Sequence, residues 1–372
     1  MIDLEFSPEQ ELIHNTARDF FASEVPRTRV RELEESELGY SPELWRKMAE
    51  LDWLGLTYPE ALGGAGGSLL DLYLVYVEMG RSLAPTPHLG SAVIAGETLL
   101  RAGSEEQKRR LLPAMARGDL IIAPALTEPD GLFGPDAIQL SATQDGGDYR
   151  LDGTKIIVPY AHEAAQLLVA TRSSDGITLL LVDAGASGVE IEALDNIAGY
   201  PLFAVSFDGT RAASEALVGS PGKGWAALEP ALDRASALQC AEIVGAGEAV
   251  LDLAVTYAKD RSQFGQPIGK FQAVQYLCSD IAIDLHLTSL LSRQATWRID
   301  AGESYRRELA VAKAQAGEAA QHMVRQAHEV FAGQGFMLEN DIQLYSRRAK
   351  HWEFNLGDAR YQYDAIAATL AG

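Results

Sequence analysis

The stretch "RSQFGQPIGKFQAVQ" (residues 261–275) decides how this chain is read. Helical patterning rich in Ala, Leu, Glu and Arg runs over 225–262 and again over 267–300. The break between them holds Gly265, Pro267 and Gly269, set among Arg261, Phe264 and Gln272. Read locally, Gly265 ends one helix and Pro267 starts the next, because a first helical residue has no use for its N–H. A third long segment over 304–331 and two shorter ones complete 225–372, a C-terminal four-helix bundle.

Upstream of 225 the period changes. Short apolar runs, "IIAPAL", "KIIVPYA", "QLLVATR", "ITLLLVDA" and "LFAVSFDG", alternate with turn signals at Asp145-Gly146-Gly147-Asp148, Asp152-Gly153, Asp175-Gly176 and Asp208-Gly209. Such spacing predicts an antiparallel β-barrel or sheet domain over 121–224. Residues 1–120 read as an all-helical domain. Its helices start at Ser7-Pro8-Glu9-Gln10, Ser41-Pro42-Glu43, Ser68 and Ser104-Glu105-Glu106-Gln107, where the hydroxyl caps a free backbone N–H. "ALGGAGGS" (61–68) fits no phosphate-loop pattern and reads as a flexible link. Helices, then strands, then helices is a multi-domain α+β order, not the βαβ alternation of a doubly wound fold.

The chain has 372 residues with a net charge of −21, 47% hydrophobic and 22% charged. That balance excludes a nucleic-acid partner or an anionic membrane surface, both of which call for a basic field. The start has no basic stretch followed by an apolar run, and no segment approaches the ~18 apolar residues of a spanning helix. A cytoplasmic location without membrane insertion is therefore expected. Cys240 and Cys278 read as small buried hydrophobes, and the histidines form no metal-binding cluster. Acidic "RELEESELG" (31–39) and "RRELAVAKAQ" (306–315) read as solvated helix surfaces.

Five motifs stand in one order: "GSEEQKRRLLPAMARGD" (103–119), "ALTEPDG" (125–131), "LDGTKIIVPYAHEAAQLLVATR" (151–172), "YAKDRSQFGQPIGKFQAVQ" (257–275) and "VFAGQGFMLENDIQLYSRRAKHW" (330–352). Together they resemble the acyl-CoA dehydrogenase family over essentially the whole chain. The resemblance implies FAD-dependent α,β-dehydrogenation of an acyl-CoA thioester: a base takes the α-proton and the flavin takes hydride from the β-carbon. It also implies FAD contacts at Leu126, Thr127, Arg261, Phe264, Gln272, Glu329 and Gly333, with the dinucleotide crossing a subunit interface at the 261–275 break. Arg261 would meet the pyrophosphate, Phe264 would pack on the cofactor and Gln272 would hydrogen-bond it. Taken alone, Arg261 is equally a surface ion pair with Asp260 or Asp280.

The chain departs from the family where the chemistry happens. Leu356, in "RRAKHWEFNLGDAR" (347–360), stands where most relatives carry the catalytic Glu, and Ala235-Ser236 stand where others carry a Glu-Arg pair. Ile157-Val158-Pro159 replaces Trp-x-Thr, Glu329 replaces Gln, and Ala332 replaces a Gly. Glu353, Asp358 and Glu242 are the acids nearby; as plain structure they read as a solvated helix residue, the cap of the last helix and a satisfied buried carboxylate. The departures resemble the base-lacking subunit of bacterial heteromeric (α2β2) acyl-CoA dehydrogenases. That branch implies a sister subunit in a heterotetramer, a bulky acyl-CoA such as a steroid side chain, and an electron-transfer flavoprotein as acceptor. Two alternatives stay open: a homotetramer with a relocated base, and a non-redox scaffold or acyl-CoA-binding subunit.

Overall fold

The computed structural model describes residues 6–370; Met1–Glu5, part of the start read above, lie outside it. The first unit is helical: α1 (Pro8–Glu24), α2 (Arg27–Glu34), α3 (Pro42–Glu50), α4 (Leu69–Ser82), α5 (Gly96–Ala102) and α6 (Glu105–Ala116). All four serine starts cap. The Ser7, Ser41, Ser68 and Ser104 hydroxyls accept from the N–H groups of Gln10, Leu44, Asp71 and Gln107. Three of these close as reciprocal boxes, the side chains of Gln10, Asp71 and Gln107 accepting the serine N–H in return. The glycine-rich link is pinned by backbone bonds from Gly64 to Pro59, Ala65 to Gly55 and Gly66 to Tyr58. A π-helical stretch, Leu89–Ala95, runs straight into α5.

The middle unit is one sheet: β1 (Ile122–Ala125), β2 (Ser141–Asp145), β3 (Asp148–Pro159), β4 (Gln166–Ser173), β5 (Gly176–Asp183), β6 (Val189–Leu194), β7 (Leu202–Ala212) and β8 (Leu217–Val218). Strand order is β6-β7-β3-β2-β4-β5-β8, with β1 alongside β4. Gly146-Gly147 makes the β2–β3 hairpin and Asp175-Gly176 the β4–β5 turn. The other two glycine signals are not turns. Gly153 (φ +141°) is a bulge within β3, and Gly209 (φ +59°) lies within β7. The sheet is also not wholly antiparallel: β1 pairs with β4 in parallel, as the long connection between them permits.

The last unit holds α7 (Gly224–Asp260), a ribbon of β9 (Ser262–Gln263) and β10 (Gln266–Pro267), α8 (Gln272–Asp300), α9 (Arg306–Phe331), α10 (Ile342–Phe354) and α11 (Ala359–Leu370). Pro267 therefore does not open a helix; α8 starts at Gln272. Phe264 (φ +53°) and Gly265 (φ +76°) are both left-handed, the geometry of a type I′ turn, so the break folds as a two-residue hairpin. No helix among the described residues is long and apolar enough to cross a membrane.

Two of the presumed solvated surfaces are structural. Glu34, in the first acidic block, accepts from Arg347 at 2.7 Å and from buried Arg348 at 3.3 Å. Lys313, in the second block, is buried and donates to the Trp352 carbonyl at 3.0 Å.

The first and last units meet where α4 crosses α7, backbone against backbone. A Cβ on Gly80 would lie 1.9 Å from the Glu242 carbonyl oxygen, and one on Gly245 would lie 1.7 Å from the Val77 carbonyl oxygen. Only two glycines allow that approach. Gly245→Ala should force the helices apart and destabilise the protein by roughly 3 kcal/mol in urea unfolding. Gly317→Ala, mid-helix in α9 with its nearest neighbours at 3.9 Å, should be neutral or stabilising by roughly 0.5–1 kcal/mol.

Candidate active site

The "ALTEPDG" and "LDGTK" motifs are one device. Lys155, fully buried on β3, donates to the Leu126 carbonyl at 3.0 Å and to Glu128 Oε1 at 2.7 Å. The same oxygen accepts the N–H groups of Gln139 and Leu140, both at 2.8 Å. Burial alone would raise the Glu128 carboxyl, but these three donors hold it below the ordinary carboxylate range. The ion pair fixes the backbone at Leu126 and Thr127, and the Thr127 carbonyl takes the Ile156 N–H.

That loop borders a cavity of about 320 Å³ where the three units meet, within the range of small-molecule sites. Tyr76 and Met79 of α4, the π-helical stretch, Ile157, Pro159 and Tyr160 of the sheet unit, and the 196–202 loop line it. From the bundle come Gln239 and Glu242 of α7, and Lys350, His351 and Leu356. The wall is held by two arginines of α10. Arg347 donates to the Ile197 carbonyl at 3.1 Å and Arg348 to the Ala198 carbonyl at 3.0 Å, while both grip Glu34. The Arg348 guanidinium lies 3.8 Å from the centre of the Tyr200 ring. One glutamate of α2, one loop of the sheet unit and one turn of α10 are thus tied together.

Of the nearby acids, Glu242 alone borders the cavity. It is 7% exposed and accepts from Trp352 Nε1 at 3.2 Å. Burial pushes its carboxyl up to about 7, against the pull of Arg348, Trp352 and Tyr200. Glu353 is half-buried and paired with Lys350 rather than simply solvated. Asp358 caps α11 by accepting from the Tyr361 N–H at 2.9 Å. Ala235 is fully buried and Leu356 is 6% exposed. His351, beside Tyr200, has its imidazole pushed down by burial and is neutral at ordinary pH.

The other expected FAD contacts gather at the far end of the bundle. Arg261 is exposed and makes no ion pair among the described residues, with Asp260 and Asp280 included. Phe264 is 92% exposed at the hairpin tip, and Gln272 is exposed at the first turn of α8. Glu329 and Gly333 lie beside them: Tyr257, in the last turn of α7, donates to Gln334 at 3.1 Å and packs on Phe331 at 4.4 Å. Nothing lies within 4 Å of the point where a Gly333 Cβ would be. An unpaired guanidinium, a bare aromatic ring and an open glycine together fit an anionic dinucleotide. At the cavity end the fit rests on the Leu126–Thr127 loop, since Pro159 has no N–H to offer.

Backbone strain marks both groups. Seven non-glycine residues have positive φ among the described residues, and five of them, Ile157, Tyr160, Phe264, Ala332 and Leu356, fall at the cavity or the bundle end. Sequence reading did not find Tyr160, Tyr200, His351 or Gln239. For Gln239 there was a signal, a second polar residue one turn before Glu242 in an otherwise apolar stretch of α7.

Family models described as the N-terminal, middle and C-terminal domains of acyl-CoA dehydrogenase match residues 7–119, 123–210 and 222–371. The chain is 33% identical over 350 residues to acyl-CoA dehydrogenase FadE27 of Mycobacterium tuberculosis, covering 92% of this chain and 91% of that one. It is similar to the solved ChsE4-ChsE5 complex from Mycobacterium tuberculosis, at 30% identity and TM-score 0.91 over 100% of this chain and 99% of that one. It is also similar to a structure described as the Tcur3481-Tcur3483 steroid ACAD, at 31% identity and TM-score 0.88 over 98% of each chain.

The raised Glu242 carboxyl has a signature in stability. A carboxyl that keeps its proton longer when folded contributes stability that is full below its ordinary value of 4.5 and lost as pH rises through about 7. Glu242→Gln removes this titration. Relative to the native chain, the variant should gain roughly 3 kcal/mol between pH 4.5 and pH 8, read from unfolding curves at each pH.

Proposed function

We propose, on the premise that this chain belongs to the acyl-CoA dehydrogenase family, that it works as one subunit of a heteromeric acyl-CoA dehydrogenase acting on a bulky acyl-CoA such as a steroid side chain. Members of the family are FAD-dependent oxidoreductases that act on a CH–CH bond of the acyl group. The observation that carries the heteromeric reading is Leu356, an apolar residue bordering the cavity where the resemblance places the base. The likeness to a two-component complex and to a steroid enzyme supports it.

When bound, FAD supplies the acceptor for the hydride that leaves the β-carbon. This chain's residues do the rest of what they can. Lys155 and Glu128 hold the Leu126–Thr127 loop against the site. The apolar cavity wall binds and desolvates the acyl group. Arg261, Phe264, Gln272, Glu329 and Gly333 hold the dinucleotide. A carboxylate of the sister chain takes the α-proton, and an electron-transfer flavoprotein accepts the electrons afterwards.

One observation favours the homotetramer as a second reading: Glu242 borders the same cavity, and its pKa near 7 suits a base. Its place about two turns beyond Ala235 on α7, roughly 10 Å along the axis, weighs against it, because proton abstraction tolerates little displacement.

FAD per polypeptide, released by denaturation and counted, separates the readings. Little FAD on the chain alone and about one per pair of unlike chains after co-expression with a glutamate-bearing sister is the expected result. One FAD per chain alone, bleached by acyl-CoA, would establish the homotetramer and make Glu242→Gln inactive. A chain colourless with every partner would be a scaffold. In the co-expressed protein, Arg261→Ala should lower FAD retention about tenfold or more, as expected for a lost charge-assisted contact.

A further inference from the structure

The cavity carries polar atoms that the chain leaves unpaired. Gln239 is 1% exposed, and among the described residues neither its amide nitrogen nor its amide oxygen has a hydrogen-bond partner. Tyr160 is 3% exposed and its hydroxyl is likewise unpaired. Both border the cavity. Buried polar groups are paired in roughly nine cases of ten, so two orphans on one ligand site call for a ligand that completes them.

The kind of atom missing narrows the ligand. The Gln239 amide needs both an acceptor for its NH₂ and a donor for its oxygen. A hydrocarbon chain offers neither. The thioester carbonyl is an acceptor only, and would leave the amide oxygen unpaired. A hydroxyl supplies both. Gln239 sits three residues before Glu242, on the same face of α7, so the two side chains share the cavity wall. That wall lies beyond Ala235, away from where the resemblance places the reacting carbons.

We infer that the bulky acyl group carries a hydroxyl away from its reacting end, recognised by Gln239 and Tyr160. This rests on the acyl-CoA reading above and names its substrate class. The rest of the cavity is mostly apolar, so the hydroxyl fixes how far and in which orientation the ring system enters. A site built to pair a hydroxyl rejects the analogue without one, because the protein's own groups are then left unpaired.

The test uses 3-cyclohexylacryloyl-CoA, a 2-enoyl thioester already dehydrogenated, with its ring 3-hydroxy, 4-hydroxy and 4-oxo counterparts. Binding to the assembled flavoprotein is measured by calorimetry. One of the hydroxylated thioesters should bind about 10- to 100-fold tighter than the unsubstituted one. Gln239→Met should erase that preference while leaving the unsubstituted thioester's affinity within about threefold, and Tyr160→Phe should reduce it. Equal affinity for all four probes would overturn the inference, as would an oxo probe that binds tightest. A Gln239→Met variant weakened equally toward every probe would show a structural role and overturn it too. If no thioester binds while FAD is retained, the acyl-CoA reading fails and the inference falls with it; preserved binding without discrimination sinks the inference alone.

Discussion

The crossing of α4 and α7 at Gly80 and Gly245 is the contact on which the rest of the structure depends. Two helices that approach carbonyl to Cα have no side chains between them to absorb a shift. Their relative position is therefore set by backbone geometry rather than by repacking. That crossing presents Tyr76 and Met79 of one helix and Gln239 and Glu242 of the other to the same cavity. It also anchors a rigid strut. From Gln239 to Arg261, α7 runs about 33 Å, so a single element carries the acyl end of the site and the dinucleotide end.

At both ends of that strut the chain keeps the family's supporting parts and changes the reactive ones. The Lys155–Glu128 pair and the Arg347–Glu34–Arg348 clamp are fully made, and they shape the cavity without touching chemistry. The groups that act on substrate have moved. Ala235 is mute, Leu356 is apolar, and the polarity reappears one and two turns along α7 as Gln239 and Glu242. Such a rearrangement suits a subunit that binds and orients an acyl group while another chain removes the proton.

Much of this was legible in the residues. The serine caps state their own geometry locally, and the hydrophobic period separates helices from strands without any tertiary information. Glycine was harder to read. Gly153 and Gly209 look like turns because both positions favour positive φ, yet a bulge uses the same conformation inside a strand. Pro267 was misread for the opposite reason: its preference fits a helix start and a ribbon edge equally, and the neighbouring Phe264 gives no hint of its left-handed backbone. Glu34 and Lys313 lie in charged blocks whose partners are 313 and 39 residues away, beyond any local pattern. Gln239 could have been found by asking what an amide does in an apolar helix, but only the cavity shows that it has no partner.

The left-handed residues at the site carry a further meaning for how this protein can change. Ile157, Tyr160 and Leu356 each hold a backbone conformation that glycine would adopt at no steric penalty. A lineage selected for robustness alone would drift toward glycine at these places and gain thermal tolerance. It would lose the fixed wall of the cavity in exchange. Their persistence as bulky residues makes them a ledger of selection for binding over durability, readable position by position.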